Sequence, residues 1–173
     1  IEVEAGLAAL RNKEMIYKLE ASEFAGSDEY TFKHAILRDV TYESVLKWAR
    51  KTYHALAANW LMDQSEQRAW KHTGLIAHQL ELGGQREKAV TYLHRAGEEA
   101  ASRFANAEAL NFYTRALDLC QENDLESLFD LRVIRLNILH RMGQRDQEEQ
   151  DLLAAETTAE RLNDSEKFAA INW

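Results

Sequence analysis

The chain contains no proline and only seven glycines in 173 residues. Proline breaks helix interiors and glycine weakens them, so their scarcity favours helix and disfavours loop-rich β folds. There is one cysteine, Cys120. That excludes an internal disulfide and any Cys-pair metal site, and a reducing, cytoplasmic setting is expected. No apolar run approaches the roughly 20 residues of a membrane span. Glu2 and Glu4 stand where a secretory leader would carry its basic and apolar stretches. A phosphate-cradling loop is missing too, because the one glycine pair, Gly83-Gly84, runs into Gln85-Arg86 and not into Gly-Lys-Ser/Thr. Nor is there a basic excess. Net charge is −8, and residues 1–68 hold 9 basic and 11 acidic side chains while 69–173 hold 12 and 18. DNA or RNA as the main partner is therefore disfavoured.

Apolar and aromatic material is plentiful. Hydrophobic residues make up 46% of the chain, with four Trp, six Phe and six Tyr, enough to exclude disorder as the main state. Val3, Leu7 and Leu10 predict a short helix over 3–13. Met15–Leu19 and Tyr30–His34 read as two strands joined by a loop around 21–29, with Gly26-Ser27-Asp28 as its turn. A lone hairpin is marginal in water, so helices must flank it. Ile36, Val40, Val45, Ala49, Tyr53, Leu56 and Trp60 form one apolar face of a long helical stretch that breaks near Arg50. The polar run 63–68 reads as a linker. The expected division is 1–62, a helix–hairpin–helix module of winged-helix type, and 69–173, a helical array.

That array shows internal similarity. Gly84-Gln85-Arg86 returns as Gly143-Gln144-Arg145, each glycine expected to end one helix in a left-handed cap. The pattern Ala89, Leu93, Ala96 is matched by Ala109, Tyr113, Ala116 and more loosely by Leu152, Ala155. Small alanines let helices approach while the larger residue fills the groove opposite. One helix pair cannot bury its own face, so neighbours must stack.

Ala89-x3-Leu93-x2-Ala96 with Gly97, and Ala109-x3-Tyr113-x2-Ala116, resemble the tetratricopeptide repeat, although its usual Trp and terminal Pro are missing. A longer resemblance runs from Tyr30–Ser44 through Ile76–Leu80, Arg95–Gly97 and Asn106–Ala109. It is to the region behind the nucleotide-binding domain of bacterial STAND or AAA-like signalling ATPases, often fused to adenylate/guanylate cyclase or transcription-factor domains. The resemblance implies a mainly α fold: a tetratricopeptide-like antiparallel helix-pair array behind a small winged-helix-like module. It also implies a helical sensor arm whose enzymatic parts lie upstream. The chain does not begin with Met and ends on Ala169–Trp173, both read as cuts in a longer protein.

The chemistry-bearing residues form no catalytic set. The six histidines include no His-x-x-x-His pair, so a metal site is not expected. His34 and His54 sit beside aromatics and read as packed. Cys120 lies near Asp118 and Glu122, which raise a thiol's pKa, and reads as structural. Lys47, Arg50 and Lys51 could touch phosphates, but acidic neighbours favour a solvated face. The expected partner-binding face, on the concave side of the array, comprises His78, Glu81, His94, Glu98, Asn137, His140 and Arg141. The reading is a non-catalytic protein–protein interaction and regulatory segment without cofactor. Its partner is a protein, a peptide or a neighbouring domain of the same protein; a homodimer is allowed. The alternative is a DNA-contacting winged helix with a helical dimerisation arm.

Overall fold

A computed structural model describes residues 2–24, 26–65 and 72–171. In chain order the elements are α1 (Glu2–Asn12), β1 (Ile16–Lys18), β2 (Tyr30–Phe32), α2 (Ala35–Ser44), α3 (Lys47–Ser65), α4 (Thr73–Leu82), α5 (Arg86–Ser102), α6 (Asn106–Leu119), α7 (Leu125–Met142), α8 (Arg145–Leu162) and α9 (Ser165–Ile171). The expected linker 63–68 lies partly outside the described residues, and the apolar end Asn172–Trp173 wholly so. The chain divides into two compact units, Ile1–Tyr53 and His54–Trp173.

In the first unit, β1 and β2 pair antiparallel with Ile16 opposite Phe32 and Lys18 opposite Tyr30. Gly26 takes φ +77 in the loop between them, a conformation open to glycine at no steric cost. The strands are shorter than the apolar runs suggested. The helix–hairpin–helix order is present, but the structure shows only a two-stranded hairpin flanked by helices. Ile16 is the single buried residue among those described in this unit. The break in the following helical stretch falls at Val45–Leu46, where Val45 is extended (ψ 133), and not at Arg50.

Of the side chains read as one apolar face, Val45 and Ala49 are half-buried and others are exposed. Ile36 is 78% exposed, Val40 63%, Tyr53 63% and Leu56 58%. Periodicity shows that a helix has an apolar face; it cannot show that this chain supplies the cover. His34 is exposed as well, not packed. Arg50 is engaged by its own unit, with Glu43 3.2 Å away and the Tyr42 ring 4.8 Å beneath it.

The second unit holds the larger core. On α3, Ala58 and Leu61 are buried, and His54 Nδ1 lies 2.7 Å from Gln79 Oε1 on α4. Gly83 packs so tightly that a Cβ there would lie 3.0 Å from the backbone of Ala55. Ala77, Leu93, Ala100, Ala109, Tyr113, Ala116, Leu131 and Ile138 form one cluster, and Phe129, Ala155, Ala159 and Ile171 form the next. Consecutive helices pack in series from α4 to α9. Alternate helices also meet. Gly74 on α4 faces Phe112 on α6, and Glu81 pairs with Arg115 across the same two helices. Lys167 on α9 pairs with Glu126 and lies 5.3 Å over the Phe129 ring, both on α7. The result is two layers, with α4 beside α6 and α7 beside α9.

This arrangement corrects the alignment of Ala89 with Ala109. Those residues open α5 and α6, the two helices of one hairpin, so the match relates successive helices and not successive repeats. Both Gly-Gln-Arg segments begin on a left-handed cap residue, Gly84 at φ +72 and Gly143 at φ +68. They lead into α5 and α8, three helices apart, and so mark shared cap chemistry and not a period.

Candidate functional site

The α5–α6 hairpin is the best-built part of the second unit. Leu93, Ala96, Gly97 and Ala100 form the inward stripe of α5, and Ala109, Tyr113 and Ala116 that of α6. Glycine in a helix interior costs about 1 kcal/mol relative to alanine, so Gly97 needs a reason. A Cβ at Gly97 would lie 2.5 Å from Tyr113 Cζ and 2.6 Å from Cε1. The tyrosine ring occupies the space that any side chain at Gly97 would need. Tyr113 is itself 1% exposed. Burial, and secondly the Glu98 carboxylate, push its phenol up to about 12.

On the outer side of α5, His94 stands edge-on to Tyr113 with ring centroids 5.8 Å apart. Its Nδ1 is 3.6 Å from Glu98 Oε2. Val90, Thr91, His94, Arg95 and Glu98 form one wall of a furrow, and Ser127, Asp130 and Leu131 of α7 form the other. The furrow encloses about 320 Å³, the lower end of the range that ligand sites occupy. Leu131 makes an apolar floor at 2% exposure, while Glu98 and Asp130 are exposed. Arg95 lies 5.4 Å over the Tyr92 ring. An apolar floor between carboxylates and a cation suits a polar side-chain array of a peptide better than a small apolar molecule.

The seven expected face residues separate into three groups. His78 and Glu81 sit on α4, with His78 Nδ1 4.0 Å from Glu81 and Glu81 held by Arg115 of α6. His94 and Glu98 sit together in the furrow. Asn137, His140 and Arg141 are exposed along the second half of α7. Asn137 donates to Val133 O at 3.1 Å, and His140 Nδ1 is 2.8 Å from Glu148 Oε1 on α8. Among the described residues no hydrogen bond or ion pair joins one group to another. Ser127 and Asp130 were not anticipated. Their signal was the α7 start, where Asp124 accepts from the Ser127 backbone N–H as an N-cap.

Cys120 is half-buried at the end of α6. Burial, and then Asp124, push its thiol up. The expected direction stands, but its cause differs: Asp118 and Glu122 are not the groups that act. Among the described residues no three His, Cys, Asp or Glu side chains converge to hold a metal ion, and no helix is long and apolar enough to cross a membrane.

No family model matches the chain. An uncharacterized protein of Rhizobium meliloti is 32% identical over 115 residues, which is 66% of this chain and 11% of that protein. The chain therefore corresponds to a small part of that relative's length. Among solved structures, aspartyl phosphate phosphatase F of Bacillus subtilis superposes with a TM-score of 0.53 at 18% identity, covering 79% of this chain and 37% of that one. The fold is a tetratricopeptide-like helical array. With the furrow and the tight Gly97–Tyr113 hairpin, that likeness fixes the architecture and leaves function to the surface.

Proposed function

We propose that this chain is a non-catalytic protein-interaction segment of a larger regulatory protein, of the multidomain signalling-ATPase or transcriptional-regulator kind that its sequence resembles. The observation carrying the reading is the α5–α7 furrow. It has an apolar floor and mixed charged walls, and it stands on a rigidly packed hairpin. Stacked helix pairs present extended surfaces of this kind to peptides and neighbouring domains. The ligand is an extended or helical polypeptide that offers a hydrogen-bonding or cationic side chain to Glu98 and Asp130. That the matched stretch is 11% of its Rhizobium meliloti relative supports an internal segment of a long protein. The acidic first turn of α1, Glu2 and Glu4, speaks against the DNA-contacting alternative, since carboxylates repel backbone phosphates.

A displayed-peptide selection tests this. Peptides enriched on the parent should share a motif and lose at least about tenfold in affinity on Glu98→Lys/Asp130→Lys, roughly 1.4 kcal/mol. Enrichment that ignores the double substitution would place binding elsewhere and sink the furrow reading.

A further inference from the structure

Four helices of the second unit end in the same hydrogen-bonded corner. At the end of α4, Gly84 N–H donates to Glu81 O at 3.0 Å and Gln85 N–H to Leu80 O at 2.9 Å. At α7, Gly143 donates to His140 O at 3.1 Å and Gln144 to Leu139 O at 3.0 Å. At α8, Asn163 donates to Glu160 O at 3.0 Å and Asp164 to Ala159 O at 3.3 Å. At α5, Phe104 donates to Ala101 O at 3.0 Å and Ala105 to Ala100 O at 2.9 Å. Each is a paired cap whose corner residue is left-handed: Gly84 at φ +72, Gly143 at +68, Asn163 at +55 and Phe104 at +61.

Glycine takes that conformation freely and asparagine tolerates it, whereas a bulky L-residue there carries steric strain. Three corners follow the rule. The α5 corner breaks it with an aromatic ring, and the fold recovers nothing from that ring. Phe104 is 85% exposed, the highest value among the large apolar residues described. A strained conformation that leaves a phenyl group in water is an outlier that no contact among the described residues explains.

The second half of the pattern lies next to it. Between α4, α5 and α6 is a cleft of about 620 Å³. Its apolar wall is Leu75, Ala96 and Phe112, and its rim includes Ser102, Arg103 and Glu108. Leu75 is 42% exposed, a second uncovered apolar side chain. Arg103, which lines the cleft, directly precedes Phe104, so the backbone corner that carries the ring borders the cleft. Arg103 and Glu108 lie 4.0 Å apart with both side chains more than half exposed.

A surface with a knob beside a hole is self-complementary under a two-fold rotation: each copy gives its knob to the other and receives one back. The cleft is lined by Arg103 and by the carboxylates of Glu99 and Glu108, so the same rotation can set each copy's Arg103 opposite a carboxylate of the other. We propose that the chain pairs with a second copy of itself through the α5–α6 corner, each Phe104 filling the other copy's cleft against Leu75 and Phe112. This surface is separate from the α5–α7 furrow, and either proposal can fail without the other.

The test is sedimentation velocity of the chain over a concentration series, for the parent, Phe104→Gly and Leu75→Glu. The parent should show a monomer–dimer equilibrium. Each variant should weaken it at least about 30-fold, the effect of losing a central anchor residue. Glycine suits the corner, so Phe104→Gly should melt no lower than the parent at a dilution where both are monomers. Loss of dimer together with retained or improved stability cannot come from misfolding. A parent that stays monomeric at every concentration overturns the proposal. So does a Phe104→Gly dimer with the parent's affinity, which would point to another surface such as the exposed apolar stripe on α3. If Leu75→Glu fails to fold, the glycine variant decides alone.

Discussion

Gly97→Ala should destabilise the second unit, although alanine is the better helix former. Nonbonded carbons rest at about 3.5–4.0 Å, and the new methyl would lie 2.5 Å from Tyr113 Cζ. The clash is about 1 Å deep, and Tyr113 cannot swing out because it is 1% exposed within the α5–α6–α7 cluster. Overpacking of this kind costs about 1–3 kcal/mol, while helix propensity returns up to about 1 kcal/mol. The net loss should be about 1–2 kcal/mol, read in urea unfolding as a midpoint lower by roughly 0.5–1 M. The cause can be isolated in a Tyr113→Ala background, where the obstructing ring is gone. There the same Gly97→Ala change should stabilise by up to about 1 kcal/mol. A stabilising Gly97→Ala in the parent would refute the packing argument, as would an equal loss in both backgrounds.

Arg135 Nε and Asp151 Oδ2 are 3.2 Å apart between α7 and α8 but misaligned for a hydrogen bond, and burial pushes the Asp151 carboxyl up despite Arg135 and Arg132. Arg135→Met alone should therefore cost about 3 kcal/mol, and Arg135→Met/Asp151→Leu less than about 1 kcal/mol; equal losses in a double-mutant cycle would contradict this. The His140 hydrogen bond, then Arg145, hold the Glu148 carboxyl below its ordinary value of 4.5. A depressed folded pKa stabilises above the unfolded value and is lost as pH falls through the folded one. The stability gap between parent and Glu148→Gln should be present near about pH 6 and close toward about pH 3; a gap that widens in acid would be the wrong sign. Finally, Thr73 Oγ1 donates to Glu99 Oε1 at 2.7 Å, and Thr73→Val should lose about 1 kcal/mol in chemical denaturation, an unchanged midpoint showing that the bond is idle.

Much of the helical framework was legible because its signals are local. The scarcity of proline and glycine and the spacing of Ala89, Leu93 and Ala96 speak for helix without reference to neighbours. The caps at Gly84 and Gly143 were legible because glycine advertises a left-handed turn. The same turn at Phe104 and Asn163 was not, since neither residue announces it as plainly. What depends on tertiary pairing could not be read. Ile36 and Val40 on α2, and Tyr53 and Leu56 on α3, each have a helical spacing, yet spacing alone does not say which surface covers them. The seven face residues were placed by assuming which helices share a layer. Pairing α4 with α6 joins Glu81 to Arg115, while His94 and Glu98 pair along α5. Gly97 was noticed as a family mark, but its reason lies in a ring on the next helix, sixteen positions along from Gly97 to Tyr113.

The most direct test of the central claim, that the α5–α7 furrow receives a partner polypeptide, is site-specific photo-crosslinking in cells. A photoreactive phenylalanine analogue replaces Thr91, exposed at the furrow, and in a parallel variant Thr157, exposed on α8. Position 91 should give a discrete protein adduct that disappears with Glu98→Lys/Asp130→Lys, and position 157 should give none. Adducts from 157 alone, or from 91 regardless of the charge reversal, would contradict that claim.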